Sequence, residues 1–158
     1  MEIFKPGDSA MIRIFVLHII LIIFFVMNNS ADALCVTASE ANLRSGPGTK
    51  YAKTWEVFKY MPFKRLSKKG SWYRVQDVDG DKHWIYRKLV TNKFNCAVVR
   101  TDKANIRTGP GTKYKKKHYS PGMKYDSFKV LTRKGKWVKV LDEFGDKGWI
   151  FRKLLWIY

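Results

Sequence analysis

The chain has 158 residues, of which 31 are Lys or Arg and 13 are Asp or Glu, a formal charge of +18. That charge exceeds the roughly 2–8 useful for the solubility of a small domain, and its field concentrates polyanions. The two cysteines and three histidines match no metal-binding spacing, which excludes a structural zinc site of four nitrogen or sulfur ligands; no metal and no cofactor is expected.

The N-terminus is not fold material. Ile14 to Met27 is an apolar run of fourteen residues broken only by His18, preceded by Arg13 and followed by the small-x-small pattern Ala31-Asp32-Ala33. A bilayer span needs about 20 apolar residues, whereas about 10–14 suits the core of a secretory signal. The expected signal peptide is therefore 1–33, cut after Ala33; the alternative is an uncleaved anchor. Met11, directly before Ile12-Arg13, opens the further reading that residues 1–10 come from a start assigned too early. Residues 1–33 hold two basic and three acidic residues, so the remaining 125 carry 29 and 10, a formal +19. For an exported chain, in the periplasm or cell envelope, that charge points to an anionic envelope component rather than to nucleic acid. The membrane enters only through the transient signal segment.

An internal repeat organises the rest. Ala41-Asn42-Leu43-Arg44-Ser45-Gly46-Pro47-Gly48-Thr49-Lys50-Tyr51 recurs 63 residues later as Ala104-Asn105-Ile106-Arg107-Thr108-Gly109-Pro110-Gly111-Thr112-Lys113-Tyr114. Trp72-Tyr73-Arg74-Val75 returns as Trp137-Val138-Lys139-Val140, and Trp84-Ile85-Tyr86-Arg87-Lys88-Leu89 as Trp149-Ile150-Phe151-Arg152-Lys153-Leu154, now offset by 65. Two residues are therefore inserted between Tyr114 and Phe128. The expected domains are 34–91 and 96–158, joined by a linker at 92–95. Each is close to the smallest size that folds alone. Cys35 and Cys96 lie just before their repeats; in an oxidising compartment they are candidates for a disulfide, with two buried thiols as the alternative.

Each copy reads as all-β. The segments are short, rich in aromatic and β-branched residues, and broken by turn signals such as Lys69-Gly70 and Asp79-Gly80. In Trp137-Val138-Lys139-Val140 the alternation sends Val138 and Val140 one way and Trp137 and Lys139 the other. The core lies under the valines, which puts Trp137, and by equivalence Trp72, on the outer face. A small barrel fits these strands better than an open sheet.

The ordered set Asn-Leu-Arg-x-Gly-Pro-Gly, a central Trp strand, Asp-x-x-Trp-Ile and a terminal Leu, present twice, resembles the bacterial SH3-like domains, closest to the tandem exported type of Gram-negative bacteria. The resemblance implies two barrels of five to six strands and a binding role. It also implies a ligand groove at Trp72, Tyr86 and Leu89 in the first copy and Trp137, Phe151 and Leu154 in the second; packing of a barrel or loop over that face is the competing reading. The second copy keeps the family's glycine before the closing tryptophan, Gly148, where the first has His83. The second copy also has His118 in place of Trp55, which points to a looser region there.

Outside the groove, Arg44 and Arg107 read as ties to their own loops through backbone carbonyls, or as forks for a carboxylate. Lys64, Arg65, Lys68 and Lys69, with Lys113, Lys115, Lys116 and Lys117, form a basic patch: a solvated face, or a surface for polyanions. No nucleophile–base pair or carboxylate dyad is apparent, so the chain reads as non-catalytic. The expected function is binding of cell-wall peptide, peptidoglycan or another anionic envelope polymer. The alternatives are an adaptor that holds a peptide segment of an envelope protein, and an accessory module of a wall hydrolase.

Overall fold

The computed structural model describes residues 33–158; the expected signal segment lies outside them except for Ala33. The first copy contains β1 (Ala33–Val36), β2 (Glu40–Arg44), β3 (Lys53–Phe58), β4 (Pro62–Lys69), β5 (Trp72–Gln76), β6 (Lys82–Tyr86) and β7 (Val90–Thr91). The second contains β8 (Cys96–Val99), β9 (Lys103–Ala104), β10 (Gly122–Met123), β11 (Ser127–Lys134), β12 (Trp137–Leu141), β13 (Lys147–Phe151) and β14 (Leu155–Ile157). A 3-10 turn precedes the last strand of each, at Arg87–Leu89 and Arg152–Leu154. Among the described residues no helix is long and apolar enough to cross a membrane.

The alternation places the core as its pattern requires. Val138 and Val140 are fully buried while Trp137 is only half-buried; Val75 and Ile85 are buried in the first copy. The β4–β5 and β11–β12 hairpins each carry a register shift at the same repeat position, between Arg65 and Ser67 and between Val130 and Thr132. Such a bulge bends a long strand and lets the sheet curl. The tight turn of the first hairpin, where Lys69 pairs with Trp72, needs Gly70 in the left-handed region at φ 55°, a conformation a β-carbon resists.

The strand count differs from the expected five to six per barrel. The first copy is one seven-stranded sheet in the order β3-β2-β6-β5-β4-β1-β7. The second is a five-stranded sheet, β13-β12-β11-β8-β14, with β9 and β10 as a separate pair. The counterpart of β3 is stretched over Lys116 to Met123 by the two inserted residues; between its ends consecutive lysines repel and Pro121 lacks the N–H a ladder needs. Of the β2–β3 pairing the second copy keeps the two ends, Lys103 and Ala104 with Met123 and Gly122, and the bridge of Arg107 to Lys116; Arg107 also bridges Trp149.

Residues 33–158 belong to one compact unit, and the reason lies in β8. All four of its residues, Cys96 to Val99, are fully buried. Ala97 and Val99 join the second core, but Val98 points the other way into the first core, among Leu34, Val36, Leu43 and Phe63. Trp156 packs against that first core as well. Cys35 on β1 and Cys96 on β8 are joined as a disulfide with Cα atoms 5.8 Å apart. Polar ties extend the seam: Tyr125 donates to Asp79 at 2.7 Å, Lys124 pairs with Asp79 at 3.2 Å, and Ser127 donates to the Lys59 carbonyl at 2.8 Å. The Tyr125 ring meets Trp55 edge-on at 5.1 Å.

Candidate functional site

In the β5–β6 ladder Trp72 stands directly opposite Tyr86, and opposed residues share a face. Their ring centroids lie 5.6 Å apart. The 3-10 turn then brings Leu89 alongside. With Glu40, Ala41, Asn42 and Arg44 from β2, and Gly48 and Thr49 from the following loop, these three line an open cavity of about 580 Å³. The expected first-copy groove residues are thus brought together, and among the described residues none from the second copy lines the cavity.

The loop wall is held from within. Arg44 Nη1 donates to the carbonyls of Thr49 at 3.0 Å and Tyr51 at 2.8 Å. Gly46 lies flat against the Tyr51 ring, which any β-carbon there would overlap. The second copy repeats this wall: Arg107 donates to Thr112 at 3.0 Å and Tyr114 at 2.8 Å, with Gly109 against Tyr114. Both arginines therefore tie their own loops, while Arg44 still borders the cavity. Trp137 opposes Phe151 in the β12–β13 ladder, with centroids 5.5 Å apart, and Leu154 follows in the second 3-10 turn. The aromatic pair is the same in both copies apart from the phenolic hydroxyl.

The expected basic patch is two sets, one in each repeat. Lys64, Arg65, Lys68 and Lys69 run along β4, and Lys113 to Lys117 occupy the turn after Gly-Pro-Gly. Not all are free charges. The Arg65 guanidinium lies over the Tyr73 ring at 5.2 Å, Lys113 over Tyr114 at 5.7 Å and Lys117 over Tyr119 at 5.7 Å. Lys68, Lys69, Lys115 and Lys116 are exposed.

Two arrangements escaped the sequence reading. His83 stands between Thr54 Oγ1, 2.9 Å from Nδ1, and Asp77 Oδ2, 3.3 Å from Nε2. The other oxygen of the buried Asp77 accepts the backbone N–H groups of Asp79 and Asp81, so this side-chain chain fastens β3 to the β5–β6 turn. Asp142 anchors the matching turn by accepting from Phe144 and Asp146. The recurrence of Asp77 and Asp81 as Asp142 and Asp146 was the available signal. The second is a cavity of about 330 Å³ at the seam, which Phe58, Tyr125 and Phe144 share with Asp126, Asp142, Glu143 and Asp146. Burial, followed by the charges of Asp146 and Asp142, raises the Tyr119 pKa beside it. At the same seam the Tyr125 hydroxyl, helped by Lys124 and opposed by burial, holds Asp79 below its ordinary value. Among the described residues no cluster of His, Cys, Asp and Glu could hold a metal ion.

The family model described as "Bacterial SH3 domain" matches residues 37–92 and again 100–156. "Putative N-acetylmuramoyl-L-alanine amidase YrvJ" of Bacillus subtilis (strain 168) is 31% identical over 73% of this chain and 24% of its own length. "Probable cell wall amidase LytH" of Staphylococcus aureus is 38% identical over 45% of this chain and 25% of its own. The chain thus spans about a quarter of these relatives. Among solved structures, "Endolysin LysPBC5 CBD" aligns over 79% of this chain and 92% of that one, with 17% identity and a TM-score of 0.32. Two matches of one family model, each spanning the aromatic pair and tied loop of one copy, make this chain a tandem member of the bacterial SH3 domain family.

Proposed function

We propose that the protein is an exported, non-catalytic module that binds the bacterial cell wall, with wall peptide held against the outer aromatic pairs and the lysines supplying attraction to anionic envelope polymer. The observation that carries this reading is the convergence of Trp72, Tyr86 and Leu89 on one open cavity. Aromatic walls give contact area at little conformational cost. Relatives named as wall amidases support a wall ligand, and the net charge supports an acidic envelope. The periplasm or envelope is its place in this reading.

The test is sedimentation with purified sacculi at rising salt. Trp72→Ala and Trp137→Ala leave the fold intact, since neither ring is in a core, and weaken binding at every salt concentration. Neutralising Lys115, Lys116 and Lys117 weakens binding at low salt and matters little near 1 M, where the Debye length has fallen from about 10 Å to about 3 Å. Tryptophan variants that fold and still bind normally would overturn the groove. Binding to an envelope protein but not to sacculi would assign the peptide-adaptor role instead.

A further inference from the structure

The two aromatic faces are edged by the same backbone hydrogen bonds and differ in charge there. The Thr37 N–H donates to the Leu89 carbonyl at 2.9 Å, and the Arg100 N–H to the Leu154 carbonyl at 3.0 Å. The Arg87 N–H donates to Ser71 at 3.0 Å, and the Arg152 N–H to Lys136 at 2.9 Å. Thr37 and Arg100 therefore occupy the same place beside the groove leucine, and Ser71 and Lys136 the same place before the groove tryptophan. Glu40, on the wall of the first cavity, has Lys103 as its counterpart 63 residues later, one residue before the buried Ala41 and Ala104. All six side chains are exposed.

The substitutions run in one direction. Thr37, Glu40 and Ser71 sum to −1, whereas Arg100, Lys103 and Lys136 sum to +3. The surrounding cations do not account for it, because Lys69, Arg87 and Lys88 recur as Lys134, Arg152 and Lys153. Asp102, in place of Ser39, returns only one negative charge. Glu40 makes no ion pair with any other described residue, a carboxylate left open on an aromatic groove of a strongly basic chain. We propose that the grooves divide the ligand between them: the second recognises an anionic group, carboxylate or phosphate, and the first a peptide segment bearing a free ammonium, which Glu40 receives. This rests on the groove reading above and adds to it a chemistry for each site.

The test follows the indole N–H signals of Trp72 and Trp137 by NMR in the intact two-barrel protein at low ionic strength, where exposed charges act furthest. The probes are N-acetyl-alanyl-glutamate, lysyl-alanine and inorganic phosphate. The acidic dipeptide is expected to move Trp137 at about three- to tenfold lower concentration than Trp72, the size that a few exposed charge contacts supply, and lysyl-alanine to show the opposite order. Glu40→Lys should bring the acidic probe to Trp72, and Lys103→Glu with Lys136→Ser should release it from Trp137. Phosphate acting below the acidic dipeptide would assign the anion to phosphate, and the reverse order to carboxylate. Probes that move the indoles with a preference unchanged by the charge swaps overturn the division while leaving the grooves standing. Probes that move neither indole overturn the grooves as well.

Discussion

The first barrel carries β2 and β3 as a continuous hairpin on its sheet, while in the second the same stretch is reduced to a two-residue pair and isolated bridges. Yet the Gly-Pro-Gly loop and its arginine tie keep the same hydrogen-bond lengths in both. The groove wall is therefore set by local contacts within about seven residues and does not depend on an intact ladder behind it. The second copy could accept consecutive lysines and a proline in that ladder because the loop is braced by its own arginine. A paired exchange at β6 and β13 makes the same point in the core. Gly148 lies where a β-carbon would overlap Cγ2 of Ile106; the first copy has Leu43, unbranched at Cβ, opposite a position that holds His83.

Breaking the join between the barrels should have the largest effect. Replacing Cys35 and Cys96 by Ser opens a crosslink spanning 61 residues, for which the chain-entropy model gives about 4 kcal/mol. Urea unfolding should show a midpoint lowered accordingly, and thiol labelling of denatured wild type without reductant should find no free thiol. Two labelled cysteines there would refute the bond.

Next in size is the core exchange. Gly148→His should cost about 1–3 kcal/mol by overpacking against Ile106, and adding Ile106→Leu should recover most of it. His83→Gly, which leaves Asp77 and Thr54 without their partner, should cost about 1 kcal/mol. Equal destabilisation of Gly148→His with and without Ile106→Leu would show that the two copies do not differ for the reason given.

The smallest effect sharpens the asymmetry of the seam. The pKa of Asp79 is lowered in the fold, chiefly by the Tyr125 hydroxyl. Its contribution is therefore present above the unfolded value, near 3.8, and is lost as pH falls through the lower folded value. Thermal melts of wild type and Asp79→Asn should converge in that acidic window and differ by less than about 1 kcal/mol above it, as suits an exposed pair. A difference that persists unchanged after Asp79 has become protonated in the fold would assign the effect to packing.

Much of this was legible in the residues because the repeat and the two-residue alternation are local signals. Val138 and Val140 under Trp137, and the convergence of Trp72, Tyr86 and Leu89, follow from the pleat and from family order. Of the seam only the Cys35–Cys96 crosslink was legible. Val98 reads as one more valine of a buried strand, and nothing in its neighbours says that it fills the other repeat's core. The repeat even misdirects, since the residue equivalent to Cys35 is Val98 and not Cys96. The strand count differed because the inserted residues and Pro121 act on long-range pairing, which periodicity does not report. His83 carried no partner pattern because Thr54 lies 29 residues away and meets it only across the sheet.

The doubly buried strand β8 also bears on avidity. Tandem modules on a flexible tether present their second site at an effective concentration that falls as the tether lengthens. Here the connection is a strand whose side chains enter both cores and a crosslink, so little orientational freedom would remain between the two proposed grooves to be surrendered when a ligand engages both. A polymer whose chemically distinct groups match the fixed separation would gain nearly the full benefit of bivalency, and one with the same groups at another spacing would gain none. On the groove reading, such a molecule would read distance along its ligand as well as chemistry.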